Sequence, residues 1–144
     1  MQVREIMTPS PEIVHPEAAV KEAAAKMKAL NVGVLPVCDG DRLVGLITDR
    51  DITVRVTADG GDPAQTKIRD AMTPEVTYCL EDQDVKDVAQ LMAEKQIRRL
   101  PVLNRDKRLV GIVSLGALVV STNDDTMAGQ TLRKISQPAK PTRE

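Results

Sequence analysis

The chain has 144 residues in which 20 Lys and Arg nearly balance 21 Asp and Glu, so no excess charge recruits nucleic acid or an anionic membrane surface. That length supports one folding unit, or two closely packed halves, but not two independent domains. With no Phe, no Trp and only Tyr78, the core is aliphatic, and the aromatic platforms on which single-stranded nucleic acid stacks are missing.

In chain order, MQVREIMTPS carries charges where a secretory signal needs an apolar run, and no stretch of ~18 apolar residues follows; a cytoplasmic protein with no membrane span is expected. Residues 12–15 (EIVH) are a short strand candidate after a Thr-Pro break. Val20, Ala23, Ala24, Met27 and Leu30 form one helical stripe. A hairpin is then expected, with residues 32–37 against residues 43–48 around the turn formers Asp39, Gly40 and Asp41, followed by a second helix over about 49–57. Residues 58–66, ADGGDPAQT, read as a linker.

The same order then repeats. A strand candidate at 76–79 (VTYC) leads to a helix carrying Val85, Val88, Ala89 and Met92. A hairpin of 97–103 against 108–113 and a helix over about 115–121 complete it. The repetition is visible in the residues themselves: VREIMTP at 3–9 returns as IRDAMTP at 68–74, with Met7 and Met72 65 residues apart. VLPV at 34–37 returns as RLPV at the same spacing, and RLVGLIT at 42–48 meets RLVGIVS at 108–114 at a spacing of 66. One residue gained in the turn, CDGD against LNRDK, accounts for the slip, as a tandem duplication would leave it. Each copy is β-α-β-β-α, so the expected class is α/β (α+β). The expected divisions are 1–61 for the first repeat with its N-terminal segment, 62–121 for the second, and 122–144 for a C-terminal helix around 127–135 and a disordered tail. Neither copy alone buries enough surface to be comfortable, so two are expected to pack about a pseudo-twofold axis that leaves two related clefts.

MTP ahead of each repeat, LPV in its middle and GLITDRDI at the end of the first resemble a tandem of cystathionine-β-synthase (CBS) domains, a Bateman module, over residues 3 to about 121. The chain looks like the stand-alone bacterial type. The resemblance implies a regulatory module that takes AMP, ADP, ATP or S-adenosylmethionine in the inter-repeat cleft. It also implies pairing into a disc-shaped homodimer and an unknown downstream protein. No obligatory cofactor is implied; the adenine nucleotide is a regulatory ligand.

Thr48 and Asp51 have two compatible readings. A threonine followed three residues later by an acidic side chain is a capping box, in which each side chain bonds the other's amide. In CBS domains the pattern G-h-h-[ST]-x-x-[DN] presents the hydroxyl to phosphate or ribose and the carboxylate to the ribose diol. The chemistry suits that role, because a carboxylate only accepts and can take both vicinal hydroxyls. In the second copy Ser114 keeps the hydroxyl, but Ala117 stands at the carboxylate position and Gly116 weakens the helix start. The Thr48 and Asp51 cleft is therefore expected to be the better nucleotide site, with the Ser114 cleft empty or differently occupied.

The resemblance places Arg98 and Arg99 where relatives carry basic residues facing phosphates; strand alternation would turn only one of them inward, and solvating the strand edge is the competing role. Arg50 is a second phosphate candidate, or a solvated residue at the helix start. Leu46, Ile47, Val37 and the Ile13–Val14 stretch could line an adenine slot, or simply be core.

Cys38 and Cys79 allow at most one disulfide, and in a reducing compartment two buried thiols are the default. A metal site would have to gather the only histidine, His15, with these cysteines and scattered carboxylates; without CxxC or HxxxH spacing, none is expected, and a solvent-facing His15 is. No nucleophile-base pair, P-loop or Rossmann glycine pattern points to an enzyme. The competing function is a constitutive dimerisation or scaffold module in which Thr48 and Asp51 are only a cap, and a nucleic-acid binder is the third and weakest reading.

Overall fold

A computed structural model describes residues 1–138. The tail expectation for residues 138–144 therefore falls, from residue 139 on, outside the described residues. A 3-10 turn at Val3–Glu5 leads into β1 (Thr8–Pro9), α1 (Val20–Leu30), β2 (Val34–Asp39), β3 (Arg42–Thr48) and α2 (Asp49–Ile52), which continues as a wider π-helical turn over Thr53–Thr57. The second copy contributes α3 (Ile68–Ala71), β4 (Cys79–Leu80), α4 (Val85–Lys95), β5 (Arg99–Leu103), β6 (Leu109–Ser114) and α5 (Leu115–Thr122), and α6 (Asp125–Ser136) is the last element among the described residues.

The expected stripes form the long helices. Val20, Ala23 and Met27 of α1 are buried, as are Val85, Val88, Ala89 and Met92 of α4. Both helices stop in the same way, with a left-handed residue just past the end, Asn31 (φ 54°) and Gln96 (φ 53°), positions 65 apart in the sequence. Asp84 caps α4 by accepting from the Lys86 amide at 2.8 Å, and Asp124 caps α6 by accepting from Met127 at 2.9 Å.

The chain forms two compact units. One unit, called here the N-repeat unit, comprises Ser10–Thr77 and Arg105–Leu109; the other, the C-repeat unit, comprises Met1–Pro9, Tyr78–Asn104 and the described residues from Val110 on. Each unit thus takes the MTP segment preceding the other repeat. In the C-repeat unit β1 pairs antiparallel with β6, Thr8 opposite Ile112, in a sheet ordered β1-β6-β5-β4. The N-repeat unit reproduces that order more sparsely. Thr73 bridges Leu46 of β3, β3 pairs with β2, and Val14 bridges Val37 in parallel. The strand candidates at 12–15 and 76–79 shrink to the Val14 bridge and to Cys79–Leu80, because so few residues face a partner strand there.

Each unit has its own aliphatic core. Val14, Val20, Ala23, Leu35, Val37, Ile47, Val56 and Ile68 fill the N-repeat unit, and Val3, Cys79, Val88, Met92, Leu100, Val102, Val113 and Leu118 fill the C-repeat unit. Cys38 and Cys79 are free and buried. Burial, with the nearby Asp41 charge adding to it, pushes the Cys38 thiol up to about 11, and burial pushes Cys79 up to about 12.

The sign of the pH effect follows from these shifts. An unfolded thiol ionises near pH 9 while the folded one stays protonated, so this stability is complete below pH 9 and drains away as pH rises toward 11–12. Urea unfolding at pH 8 and pH 10 should show a loss of about 1.4 kcal/mol per thiol per pH unit above 9. The loss should shrink in a Cys38→Ala/Cys79→Ala variant, and an equal pH slope in both proteins would contradict burial as its cause.

Candidate functional site

The end of β3 carries the candidate site. Thr48, last in the strand, keeps extended geometry (φ −116°, ψ 162°) and caps α2. Its Oγ1 accepts from the Asp51 amide at 3.0 Å, and Asp51 Oδ2 accepts from the Thr48 amide at 3.0 Å, so the capping box is complete. The Asp49 amide donates to the Gly33 carbonyl at 3.0 Å, tying the helix start to the entry of β2.

Asp51 is 9% exposed, an unusual place for a carboxylate. Only one of its oxygens is committed. Oδ1 makes no hydrogen bond among the described residues; its nearest cation is Arg55, whose Nη2 lies 3.9 Å away, beyond hydrogen-bond range. Arg55 is anchored elsewhere: its Nη1 donates to the carbonyls of Ala71 at 3.1 Å and Met72 at 2.8 Å. Those carbonyls lie at and just past the end of α3, immediately before the Thr73 bridge to Leu46, in which both residues exchange amide bonds of 2.8 and 3.0 Å. Arg55 was not among the residues singled out from sequence. The available signal was its spacing, four residues after Asp51 on one helix face.

The other expected site residues divide. Leu46 is partly exposed, while Ile47 (0%), Val37 (0%) and Val14 (2%) are buried, as the core alternative of their two readings has it. Arg50 is exposed, its amide donating to Asp49 Oδ1 at 2.8 Å.

Ser114, Arg98 and Arg99 belong to the C-repeat unit. Ser114 caps α5 by accepting from the Ala117 amide at 3.1 Å, but the return half of the box is absent because Ala117 has no side-chain acceptor. The Leu115 amide donates to the Arg98 carbonyl at 2.8 Å, as Asp49 does to Gly33 in the other copy. Arg98 and Arg99 are both exposed, and neither forms an ion pair among the described residues. His15 is exposed; its Nδ1 accepts from the Glu17 amide at 3.1 Å. No group of three or more His, Cys, Asp and Glu among the described residues is placed to hold a metal ion. No helix among them is long and apolar enough to cross a membrane.

Known proteins match this chain over most of its length. The family model described as CBS domain matches residues 3–57 and 68–130. The CBS domain-containing protein YhcV of Bacillus subtilis (strain 168) is 42% identical over 134 residues, covering 93% of this chain and 94% of the relative. Among solved structures, Hypoxic Response Protein I with two coordinated zinc ions superposes with a TM-score of 0.77 at 32% identity, covering 84% of this chain and 98% of that one. CBSX2 in complex with AMP gives a TM-score of 0.74 at 28% identity, with 87% and 98% covered. The CBS domain pair of protein MJ0100, in complex with 5′-methylthioadenosine and S-adenosyl-L-methionine, gives a TM-score of 0.74 at 30% identity, with 83% and 98% covered. With two matched repeats spanning most of its length, this chain belongs to the CBS domain family.

Proposed function

We propose that the chain is a regulatory, non-catalytic module that binds an adenosine-containing nucleotide, with Asp51 as the acceptor for the ribose hydroxyls. The observation that carries this reading is the state of Asp51: nine-tenths buried, ionisable, and with Oδ1 still free to accept. Beside it, the Thr48 hydroxyl already accepts from the Asp51 amide, which leaves its proton to donate to a phosphate or ribose oxygen. The complexes of AMP with CBSX2, and of 5′-methylthioadenosine and S-adenosyl-L-methionine with the MJ0100 pair, support an adenosine moiety as the common element.

Ser114, Arg98 and Arg99 form the corresponding station of the second copy. It has cations for an anionic group but no carboxylate for a diol, so it is the weaker nucleoside site. Occupancy regulates only through unequal affinity for two arrangements of the protein, which a downstream partner then distinguishes. Val54 and Val120, at matching positions of the two copies, are 46% and 78% exposed, and a second copy of the chain is the proposed cover for them. The two buried free thiols suit a reducing, cytoplasmic compartment.

One observation favours the competing scaffold reading: the capping box is complete without any ligand. Thermal melts separate the two. With AMP or S-adenosyl-L-methionine at a hundredfold excess over Kd, a sensor gains about 2.7 kcal/mol, or roughly 8 °C in Tm. A scaffold shows no shift at any concentration, and that result would remove the nucleotide reading.

A further inference from the structure

We propose that Arg55 is a positioning residue that couples occupancy at Asp51 to the Ala71–Thr73 backbone, and through it to the β3 edge at Leu46; this rests on the nucleotide reading above. The guanidinium is held by one nitrogen on two carbonyls, Ala71 O at 3.1 Å and Met72 O at 2.8 Å, while its other terminal nitrogen faces Asp51 Oδ1 at 3.9 Å. Such a fork suits a fixed bridge, because its planar donors leave little freedom once two are engaged.

The 3.9 Å separation is informative. Arg55 is close enough to attract the carboxylate but too far to consume the acceptor, so Oδ1 stays available and aimed. A diol that draws Asp51 toward itself changes the field that Arg55 feels, and Arg55 holds the turn that ends α3. One residue further on, Thr73 and Leu46 exchange two amide hydrogen bonds, so tension on the Met72 carbonyl acts directly on that bridge.

The second copy serves as an internal comparison. Carrying the sequence spacing of 66 forward places Ala117 at the Asp51 position and Ser121 at the Arg55 position, so carboxylate and guanidinium are lost together while the capping hydroxyl persists as Ser114. A cation needed only to secure the MTP segment would be expected in both copies. The wider π-helical turn of Thr53–Thr57, which carries Arg55, is also absent from the second copy, where α5 is regular.

The test is calorimetric titration of the full chain with AMP, beside amide hydrogen exchange. Arg55→Ala should weaken AMP binding about tenfold. In an Asp51→Asn background that still binds measurably, the same change should add little. Arg55→Lys should recover part of the affinity, and Arg55→Gln, which keeps an amide donor for the carbonyls but not the charge, should not. In the wild type, AMP should slow exchange at the Thr73 and Leu46 amides more than at the Cys38 amide, which bonds Val14 on the other side of the hairpin. In Arg55→Gln that preference should disappear.

Unchanged AMP affinity in Arg55→Gln, or equal protection at all three amides in the wild type, would overturn the coupling while leaving the nucleotide site standing. If the wild type binds neither AMP nor S-adenosyl-L-methionine, the nucleotide reading falls first and the coupling falls with it.

Discussion

Replacing Asp51 with alanine is expected to abolish the AMP-dependent rise in Tm while costing the free protein only about 1 kcal/mol. The two numbers separate because two independent jobs are proposed for Asp51. Its Oδ2 closes the capping box on the Thr48 amide, a contribution of about 1 kcal/mol at a helix start. Its Oδ1 is the proposed acceptor for the ribose diol, and a hydrogen bond to a charged group contributes about 1.5–3 kcal/mol. Losing two such bonds weakens binding by roughly a hundredfold or more. Calorimetric titration of Asp51→Ala with AMP reads the second job, and a ligand-free urea melt reads the first. A variant that melts lower but binds AMP as the wild type does would reduce Asp51 to a cap.

Gly45→Ala is expected to be the most damaging small substitution in the N-repeat unit, lowering stability by about 1–3 kcal/mol. An added Cβ would lie 2.8 Å from Met72 Sδ and 2.8 Å from the Thr73 carbonyl oxygen. A thioether can swing away, but the carbonyl belongs to the Thr73–Leu46 bridge and cannot retreat without breaking it. Gly→Ala normally gains about 0.4–1 kcal/mol by restricting the unfolded chain, which is too little to offset that clash. Gly111 repeats the arrangement under Met7 and the Thr8 carbonyl, so the constraint is a property of each MTP segment lying over a β-strand. Gly129, inside α6 with nothing within 4 Å of an added Cβ, is the control: there alanine should stabilise by about 1 kcal/mol. Urea midpoints of Gly45→Ala and Gly129→Ala should therefore move in opposite directions, and a stable Gly45→Ala protein would deny the close packing.

Much of this fold is legible in the chain because it is written twice. The helical stripes of Val20 to Met27 and Val85 to Met92, the hairpin turn at Asp39 to Asp41, and the Thr48 cap all follow from local spacing and recur at a fixed offset. What local spacing does not carry is pairing over long range. Thr8 and Pro9 make a strand of two residues opposite Ile112 and Gly111, far along the sequence, and two residues have no periodicity to read. The same blindness hides the exchange of MTP segments between the units. Within the candidate site, Thr48 and Asp51 are readable as a cap, but β2 is buried at Leu35, Pro36, Val37 and Cys38 in succession, so alternation does not separate the two faces of that strand. Arg55 is legible only as a spacing; that its partners are the Ala71 and Met72 carbonyls is a tertiary fact.

The most direct test of an adenosine site at Thr48 and Asp51 is an amide-resolved NMR titration of the full chain with AMP. Saturable shifts concentrated in the amides of residues 45–52, with a single Kd shared among them, are the expected result. Saturation with shifts confined to other parts of the chain, or no saturation at millimolar AMP, would contradict it.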